Sequence, residues 1–309
     1  MLGATQEHDR GPWVIAPGNH DGVHLGHRAL LRTARQLADS RGFGTRALTF
    51  EPHPAALIDP ENAPEKLTLQ PRRAELLRGA GADSVVVQAF TPEFAAQPAD
   101  AFVDSLLAQG ARAIVVGPDF RFGHQRQGDV ELLQRRGLEV SVEAPVMLEG
   151  RRVSSSAIRQ ALRGGDVVLA SRMLGRLHDV EGQVVRGDQR GRTIGFPTAN
   201  LQPEPVMPPS DGVYAVVVRE LARPDSPLTL GIANLGTRPT FAAGRSVEIH
   251  LFDFDRDIYG AELRVGFVQR VRGERKFSGI EELRAQILRD CEEARQLLAA
   301  RDQELDAWI

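Results

Sequence analysis

Residues Trp13–Leu31 read WVIAPGNHDGVHLGHRALL: a short apolar run, a loop punctuated by Gly18, Gly22 and Gly26, and the start of an amphipathic stretch. A buried strand that passes through a glycine-rich loop into a helix opens a βα unit. The glycines let the backbone approach a ligand closely, and the helix that follows would turn its free N–H groups and positive dipole end toward an anion. In an open α/β sheet the crevice at the carboxyl end of a strand is where ligands sit. His24 and His27 fall at the loop-to-helix junction, three residues apart, so both rings can face the side of the helix N-terminus. A single histidine is usually packed or solvated. Two joined by a glycine at this position suit a reaction in which negative charge builds on a phosphoryl oxygen. Zinc is the weaker reading, because neither cysteine nor carboxylate stands at a spacing that completes four ligands.

Outward from that stretch the same alternation continues. TRALTF (Thr45–Phe50), SVVVQ (Ser84–Gln88), AIVVG (Ala113–Gly117) and LEVSV (Leu138–Val142) are strand-like, and HRALLRTARQLADSRG, LTLQPRRAELLRGAG, PADAFVDSLLAQG and GDVELLQRRG have helical spacing. The pattern predicts a parallel sheet covered on both faces, with several helices closing at glycine. Ser154–Leu162 and Asp166–Leu174 are expected to be the last helices of this first domain, 13–176. After His178 the texture changes to alternating strands separated by Gly, Pro and Asp turns: HDVEGQVVRG, GVYAVVVRE, LTLGIANLG, RSVEIHLFDF and AELRVGFVQRVR. A small antiparallel barrel or sandwich is expected for the second domain, 177–309. A terminal helix in Gly279–Trp308 would cover it with a stripe of Ile280, Leu283, Ile287, Leu288, Ala294, Leu297 and Leu298. The proline-rich Gln202–Asp211 reads as a loop.

Composition narrows the function. The chain has 309 residues, twice a typical domain, with 42% hydrophobic and 26% charged residues and a net charge of −3 without long runs of one sign. Nothing in that balance suggests a nucleic-acid or membrane-surface partner, so any phosphate must be gripped locally. The one cysteine, Cys291, excludes an internal disulfide or a multi-thiolate metal site. No stretch approaches the roughly 20 apolar residues of a membrane span and the N-terminal residues lack a secretory pattern, so the expected location is cytoplasmic.

A second constellation lies in RGDQRGRTIGFPTANL, Arg186–Leu201. Gly187, Gly191 and Gly195 permit turns against a ligand, Arg190 and Arg192 bring charge, and Thr198 and Asn200, two apart, share one strand face. A hydroxyl and an amide oxygen make a plausible magnesium pair once ATP phosphates supply the other positions. A tight hairpin would explain the glycines but not FPTAN. No GxxxxGK[ST] occurs, so a nucleotide here is not held by a Walker-type loop.

H-x-G-H after the first strand resembles the signature of the nucleotidyltransferase superfamily. The longer GNHDGVHLGH is similar to the adenylyltransferase module of the bifunctional bacterial riboflavin kinase/FAD synthetase family. The resemblance continues through FEPHP (Phe50–Pro54), GPDFRFG (Gly117–Gly123) with Gly128–Asp129, and RVSSSAIRQAL (Arg152–Leu162). It implies a Rossmann-like nucleotidyltransferase domain that transfers AMP from ATP to FMN, giving FAD and pyrophosphate. By it, His24 and His27 contact the ATP phosphates, and Gly18, Asn19, Asp21 and Gly22 shape that pocket. Asp119 binds nucleotide or orders its loop, and Ser154, Ser155, Ser156 and Arg159 hold the outer phosphates.

In the second half, GxxxxGRxxGFPTAN is similar to the riboflavin kinase motif, and DGVYAV, NLGTRPTF, SVEIHLFDFDRDIYG and RVRGERKF match the rest of that module. This implies an antiparallel barrel that phosphorylates riboflavin with ATP and Mg2+. Thr198 and Asn200 would hold the metal, Gly187, Gly191 and Arg192 the nucleotide, and Arg238, Phe241, Arg275 and Phe277 the flavin. Glu248 would be the general base on the riboflavin 5′-hydroxyl, since phosphoryl transfer to an alcohol needs a proton acceptor within reach.

The chain departs from the family where His20 replaces the usual phenylalanine, Glu51 the usual aspartate, and Gly273 a common aspartate. A histidine at position 20 either packs or adds a third imidazole beside the phosphates. The implied substrates are riboflavin, FMN and ATP, handled by a monomer or weak homo-oligomer. An enzyme retaining the kinase activity alone, or a flavin-binding regulatory protein, are the alternatives that the motifs leave open.

Overall fold

The computed structural model describes residues 11–187, 191, 194–237 and 245–301, and the chain divides into two compact units between Ser155 and Ser156. In the first, β1 (Trp13–Pro17), α1 (Leu25–Arg41), β2 (Gly44–Glu51), α2 (Pro54–Ile58), α3 (Gln70–Gly79), β3 (Ser84–Ala89), α4 (Pro92–Ala95), α5 (Ala99–Ala108), β4 (Ala111–Val116), α6 (Val130–Arg135) and β5 (Glu139–Val142) alternate, followed by the hairpin β6 (Met147–Leu148) and β7 (Arg151–Arg152). The five strands form a parallel sheet in the order β3-β2-β1-β4-β5. The expected Rossmann-like α/β architecture is thus present, and the strand order reverses between β1 and β4, which opens a crevice at their carboxyl ends.

Both faces of the sheet are buried, which is why its strands read as continuous apolar runs. Val14, Ala16, Ala113 and Val115 pack with Leu31, Ala34 and Ala38 of α1. Ile15, Ile114 and Val116 turn the other way, onto Phe102, Val103 and Leu106 of α5. The period of two along each strand therefore divides one apolar run between two cores. α1 ends at Gly42 with φ 69°, the left-handed closure expected of a C-terminal glycine.

In the second unit, α7 (Ser155–Arg163) and α8 (Val167–Leu174) precede β8 (His178–Val185), β9 (Ala199–Pro203), β10 (Gly212–Glu220), β11 (Thr229–Thr237), β12 (Arg245–Leu251), β13 (Glu262–Arg272) and α9 (Ile280–Ala299). The strands close into a barrel, β10-β11-β12-β9-β8-β13, every pair antiparallel, so the barrel rather than the sandwich is realised. Closure removes the unpaired edges that a small sheet would otherwise expose. β9 runs into the proline-rich stretch expected to be loop, because its pairing with β8 continues through Gln202 and Pro203.

The terminal helix forms, but its stripe is rotated from the expected one. Ile280 and Leu288 are 59% and 55% exposed, while Ala294 and Leu298 are buried together with a charged residue, Asp290. An aspartate accepting an arginine fork can occupy a core-facing position, and Asp290 does so beside the barrel (below).

Candidate active sites

The loop after β1 is shaped by backbone in the left-handed region. Gly22 has φ 84°, and the non-glycine residues His20 and Val23 have φ 50° and 41°. A β-branched residue in that region is costly and persists only where its surroundings over-determine it, most often beside a ligand. The Val23 N–H donates to the His20 carbonyl at 3.0 Å and closes the turn. Asp21 is buried and its carboxylate accepts the backbone N–H groups of Leu67 (3.0 and 3.1 Å) and Thr68 (3.1 Å), tying the loop to the segment before α3. The carboxylate is thus spent on holding the loop in place.

His24 is the N-cap of α1. Its Nδ1 accepts from the N–H groups of Gly26 (3.1 Å) and His27 (3.4 Å), which puts the ring hydrogen of the neutral imidazole on Nε2. The His27 ring stacks on His24 at 3.7 Å between centroids and 16° between planes. The glycine between them has a steric reason, since a Cβ on Gly26 would lie 3.0 Å from His24 Cε1. This corrects one expectation: the first helix amides are not turned toward an anion, because His24 takes the Gly26 and His27 N–H groups itself.

His20 lies edge-on to His27, 5.0 Å between centroids, and is fully buried with its Nε2 3.0 Å from the Ala16 carbonyl. Of the two readings it is the packed one. Gly18 leaves room for it, since a Cβ there would sit 3.1 Å from the His20 ring. Burial pushes His20 down to about 4, against the pull of the hydrogen bond to Ala16 and helped by Arg73. His27 is held well below the ordinary imidazole range, first by burial and then by His24, His20 and Arg73. Both rings are neutral at pH 7.

Around this core, the Asn19 carbonyl accepts from Thr49 Oγ1 (2.9 Å) and from Arg73 (3.3 Å), and its side-chain amide lies 3.1 Å from His53 of FEPHP. Glu51 is bonded by Lys66 at 2.6 Å and Arg73 at 2.7 Å, which together outweigh burial and hold its carboxyl below the usual carboxylate range. Ser155 donates to the Asp21 carbonyl at 2.9 Å and so joins the same loop. Asp119 is exposed and accepts Arg152 at 2.7 Å, which favours the loop-ordering role over direct nucleotide contact. Ser154 immediately precedes α7, Ser156 is exposed in its first turn, and Arg159 is 6% exposed within it. Sequence reasoning missed Arg73, whose place in PRRAELLRG looks like a solvated helix face.

In the barrel, Glu248 of β12 stands directly across from Asn200 of β9 and from Asn234 of β11. Thr198, Asn234 and Glu248 line one cavity of about 650 Å³, together with Arg275 and Phe277. The side-chain oxygens of Thr198 and Asn200 are of the hard kind that a Mg2+ ion takes. Gly187 and Gly191 lie against these side chains. A Cβ on Gly187 would come within 2.4 Å of the Asn200 amide, and one on Gly191 within 2.3 Å of the Phe196 carbonyl and 3.2 Å of Thr198 Oγ1. The close approach that the glycines permit is thus first to the chain's own metal-binding candidates. Thr198 itself falls just before β9, so only Asn200 of the pair is on the strand.

Arg275 sits 5.5 Å over the Phe277 ring and pairs with Glu282 at 2.6 Å. Asp290, 3% exposed, receives the Arg272 guanidinium at 2.9 Å from Nε and 2.8 Å from Nη2, and both residues line the cavity. Neither was singled out from sequence; the signal was an acid in register with the buried face of α9. Arg190, Arg192, Arg238 and Phe241 lie outside the described residues. Burial pushes the Cys291 thiol up to about 11, and Asp290 adds to the rise, so it is not a reactive thiolate.

Two family models match the chain: FAD synthetase over residues 6–157 and riboflavin kinase over residues 174–298. The chain is 41% identical over 284 residues to the bifunctional riboflavin kinase/FMN adenylyltransferase of Escherichia coli (strain K12), covering 90% of each protein. It is 37% identical to the protein of the same name from Bacillus subtilis (strain 168), covering 91% of each. Among solved structures it is similar to a protein from Streptococcus pneumoniae titled a macrolide-efflux protein, with a TM-score of 0.83 and 31% identity over 91% of this chain and 93% of that one. Among the described residues no helix is long and apolar enough to cross a membrane.

Proposed function

Because the chain belongs to the family of bifunctional riboflavin kinase/FMN adenylyltransferases, we propose that it makes FAD in two steps at two sites. The barrel phosphorylates riboflavin to FMN with ATP, and the α/β unit adenylylates FMN to FAD with release of pyrophosphate. The functional domains are read as 13–176 and 177–309. The enzyme works in the cytoplasm on small molecules, as a monomer or weak homo-oligomer.

In the first step Glu248 accepts the proton of the riboflavin 5′-hydroxyl as its oxygen attacks the γ-phosphorus of ATP, and the bond to the β,γ-bridging oxygen breaks to release ADP. The Arg275 and Phe277 side of the cavity, with Arg238 and Phe241, takes the flavin, and Gly187, Gly191 and Arg192 follow the nucleotide. Mg2+ bound to Thr198 and Asn200 would neutralise charge on the phosphates. In the second step the FMN phosphate attacks the α-phosphorus of a second ATP. His24 donates from Nε2 and His27 from the adjoining ring to phosphoryl oxygens whose charge grows as pyrophosphate leaves. Gly18, Asn19, Asp21 and Gly22 hold the loop for them, Asp119 steadies its neighbour through Arg152, and Ser154, Ser155, Ser156 and Arg159 answer the outer phosphates.

The observation that carries this reading is the shared cavity of Glu248 and Thr198, with Asn200 across the ladder from that same carboxylate. The test is to incubate the protein with riboflavin, ATP and Mg2+ and separate the flavins over time. FMN rises first and FAD follows; riboflavin left unconsumed would overturn the reading, and FMN accumulating without FAD would remove its second half.

A further inference from the structure

Arg73 is an arginine buried to 2% exposure on the first turn of α3, a place where a charged side chain normally reaches solvent. All three of its nitrogens are engaged. Nε donates to Gln70 Oε1 at 2.8 Å, Nη1 to the Asn19 carbonyl at 3.3 Å, and Nη2 to the Phe50 carbonyl at 3.3 Å and Glu51 Oε2 at 2.7 Å. The side chain therefore clamps the loop after β1 to the carboxyl end of β2, the two segments that carry GNHDG and FEPHP. Its single carboxylate partner is shared, because Glu51 is also bonded by Lys66. Glu51 therefore answers two cations at once, and ties Lys66 and Arg73 to the carboxyl end of β2.

We propose that Arg73 is a positioning residue of the adenylyl-transfer site, holding the Gly18–Asp21 turn in register with the carboxyl end of β2 before ATP arrives. The inference rests on the adenylyltransferase reading above. The titratable and charged groups bearing on the His27 ring are His24 and His20 from its own loop and Arg73 from α3. Neutral His27 has a consequence for catalysis. A ring that is neutral in the empty site and gains affinity for a proton only as phosphate charge develops interacts more strongly with the transition state than with the ground state, which is the condition for accelerating the step. A guanidinium held by a planar fork supplies charge and geometry together, so a lysine should supply only the first.

The test compares the full-length wild type with Arg73→Met and Arg73→Lys. Three quantities are measured: FAD formation from supplied FMN, FMN formation from riboflavin, and the titration midpoint of His27 by NMR without nucleotide. Arg73→Met should lower kcat for FAD formation roughly a hundredfold, the scale of a misplaced reacting group, and leave FMN formation unchanged. Its His27 midpoint should rise only slightly, because burial and the neighbouring rings, which the substitution leaves in place, do most to lower it. Arg73→Lys should leave that midpoint near wild type yet still lose kcat, since one ammonium cannot bridge Asn19, Phe50 and Glu51 at once. Full FAD formation in either variant would overturn the proposal. Should Arg73→Met not fold, the lysine variant decides by itself: wild-type kcat sinks the idea. If the wild type made no FAD from FMN, the underlying reading would fail rather than this inference.

Discussion

His20 makes the stability of the α/β unit depend on pH in a window that can be computed. Its ring is fully buried, and burial lowers its titration from 6.5 to about 4. An unfolded chain releases it to the ordinary value. Between those two pH values the unfolded state binds a proton that the folded state refuses, so stability rises with pH across the window and falls on acidification. The full effect is present above pH 6.5 and is lost as the pH drops toward 4. At 1.36 kcal/mol per pH unit, the 2.5-unit difference corresponds to about 3 kcal/mol between pH 7.5 and pH 4. That is a large share of a domain's stability. His20→Phe removes the titrating group while retaining a planar ring. It also removes the hydrogen bond between the ring and the Ala16 carbonyl, a cost of about 0.5–1.5 kcal/mol that does not vary with pH. Urea unfolding followed by Trp13 fluorescence, repeated from pH 7.5 to pH 4, separates the two effects, since the first changes the slope against pH and the second only the offset. The variant should lose about 3 kcal/mol less than wild type on acidification. Identical slopes would refute the assignment of His20 as a buried neutral ring, and the protonation of His27, which acts in the same direction, would then have to carry the acid sensitivity alone.

Gly26→Ala places a methyl carbon 3.0 Å from the His24 ring, so the cap and the imidazole stack shift together; FAD formation from FMN should fall at least tenfold with FMN formation intact, and equal activity would show that the stack is not required. Thr198→Val and Asn200→Ala should each raise the Mg2+ concentration needed for half-maximal riboflavin phosphorylation without changing that for FAD formation, and unchanged metal titrations would remove both from the metal site. Gly191→Ala drives a methyl carbon to 2.3 Å from the Phe196 carbonyl, and should slow the kinase step by displacing Thr198, whereas wild-type kinetics would mean the loop yields freely.

Much of the fold was readable because it follows from local chemistry. The three central runs of the parallel sheet, β1, β2 and β4, are buried on both faces and need no alternation, so composition marks them directly. The barrel strands declare themselves by turns and period. The pairing of His24 and His27 was readable because three residues through a glycine bring both rings to one side of the helix N-terminus, and the glycines of the second motif proved to abut Thr198 and Asn200. What escaped was decided by tertiary burial. Arg73 lies in a helix whose sequence presents it as a surface cation, and only packing of α3 under the first loop buries it. Asp290 interrupts an apolar stripe and becomes core only through Arg272, 18 residues earlier in the chain. The α1 amides looked available to a phosphate because nothing in the spacing HLGH reveals that His24 turns back to cap them. His20 was ambiguous for a related reason: the partner that decides its role is a backbone carbonyl, invisible in side-chain patterning.

Two independent phosphorus-transfer centres in one chain are tested most directly by feeding His27→Ala and Glu248→Ala either riboflavin or FMN, with ATP and Mg2+, and quantifying flavins by chromatography. Glu248→Ala should leave riboflavin essentially unconverted, a loss of about a hundred- to ten-thousandfold for a missing general base, yet turn FMN into FAD at the wild-type rate. His27→Ala should convert riboflavin to FMN and stop there. Parallel loss of both products in either variant would contradict the account.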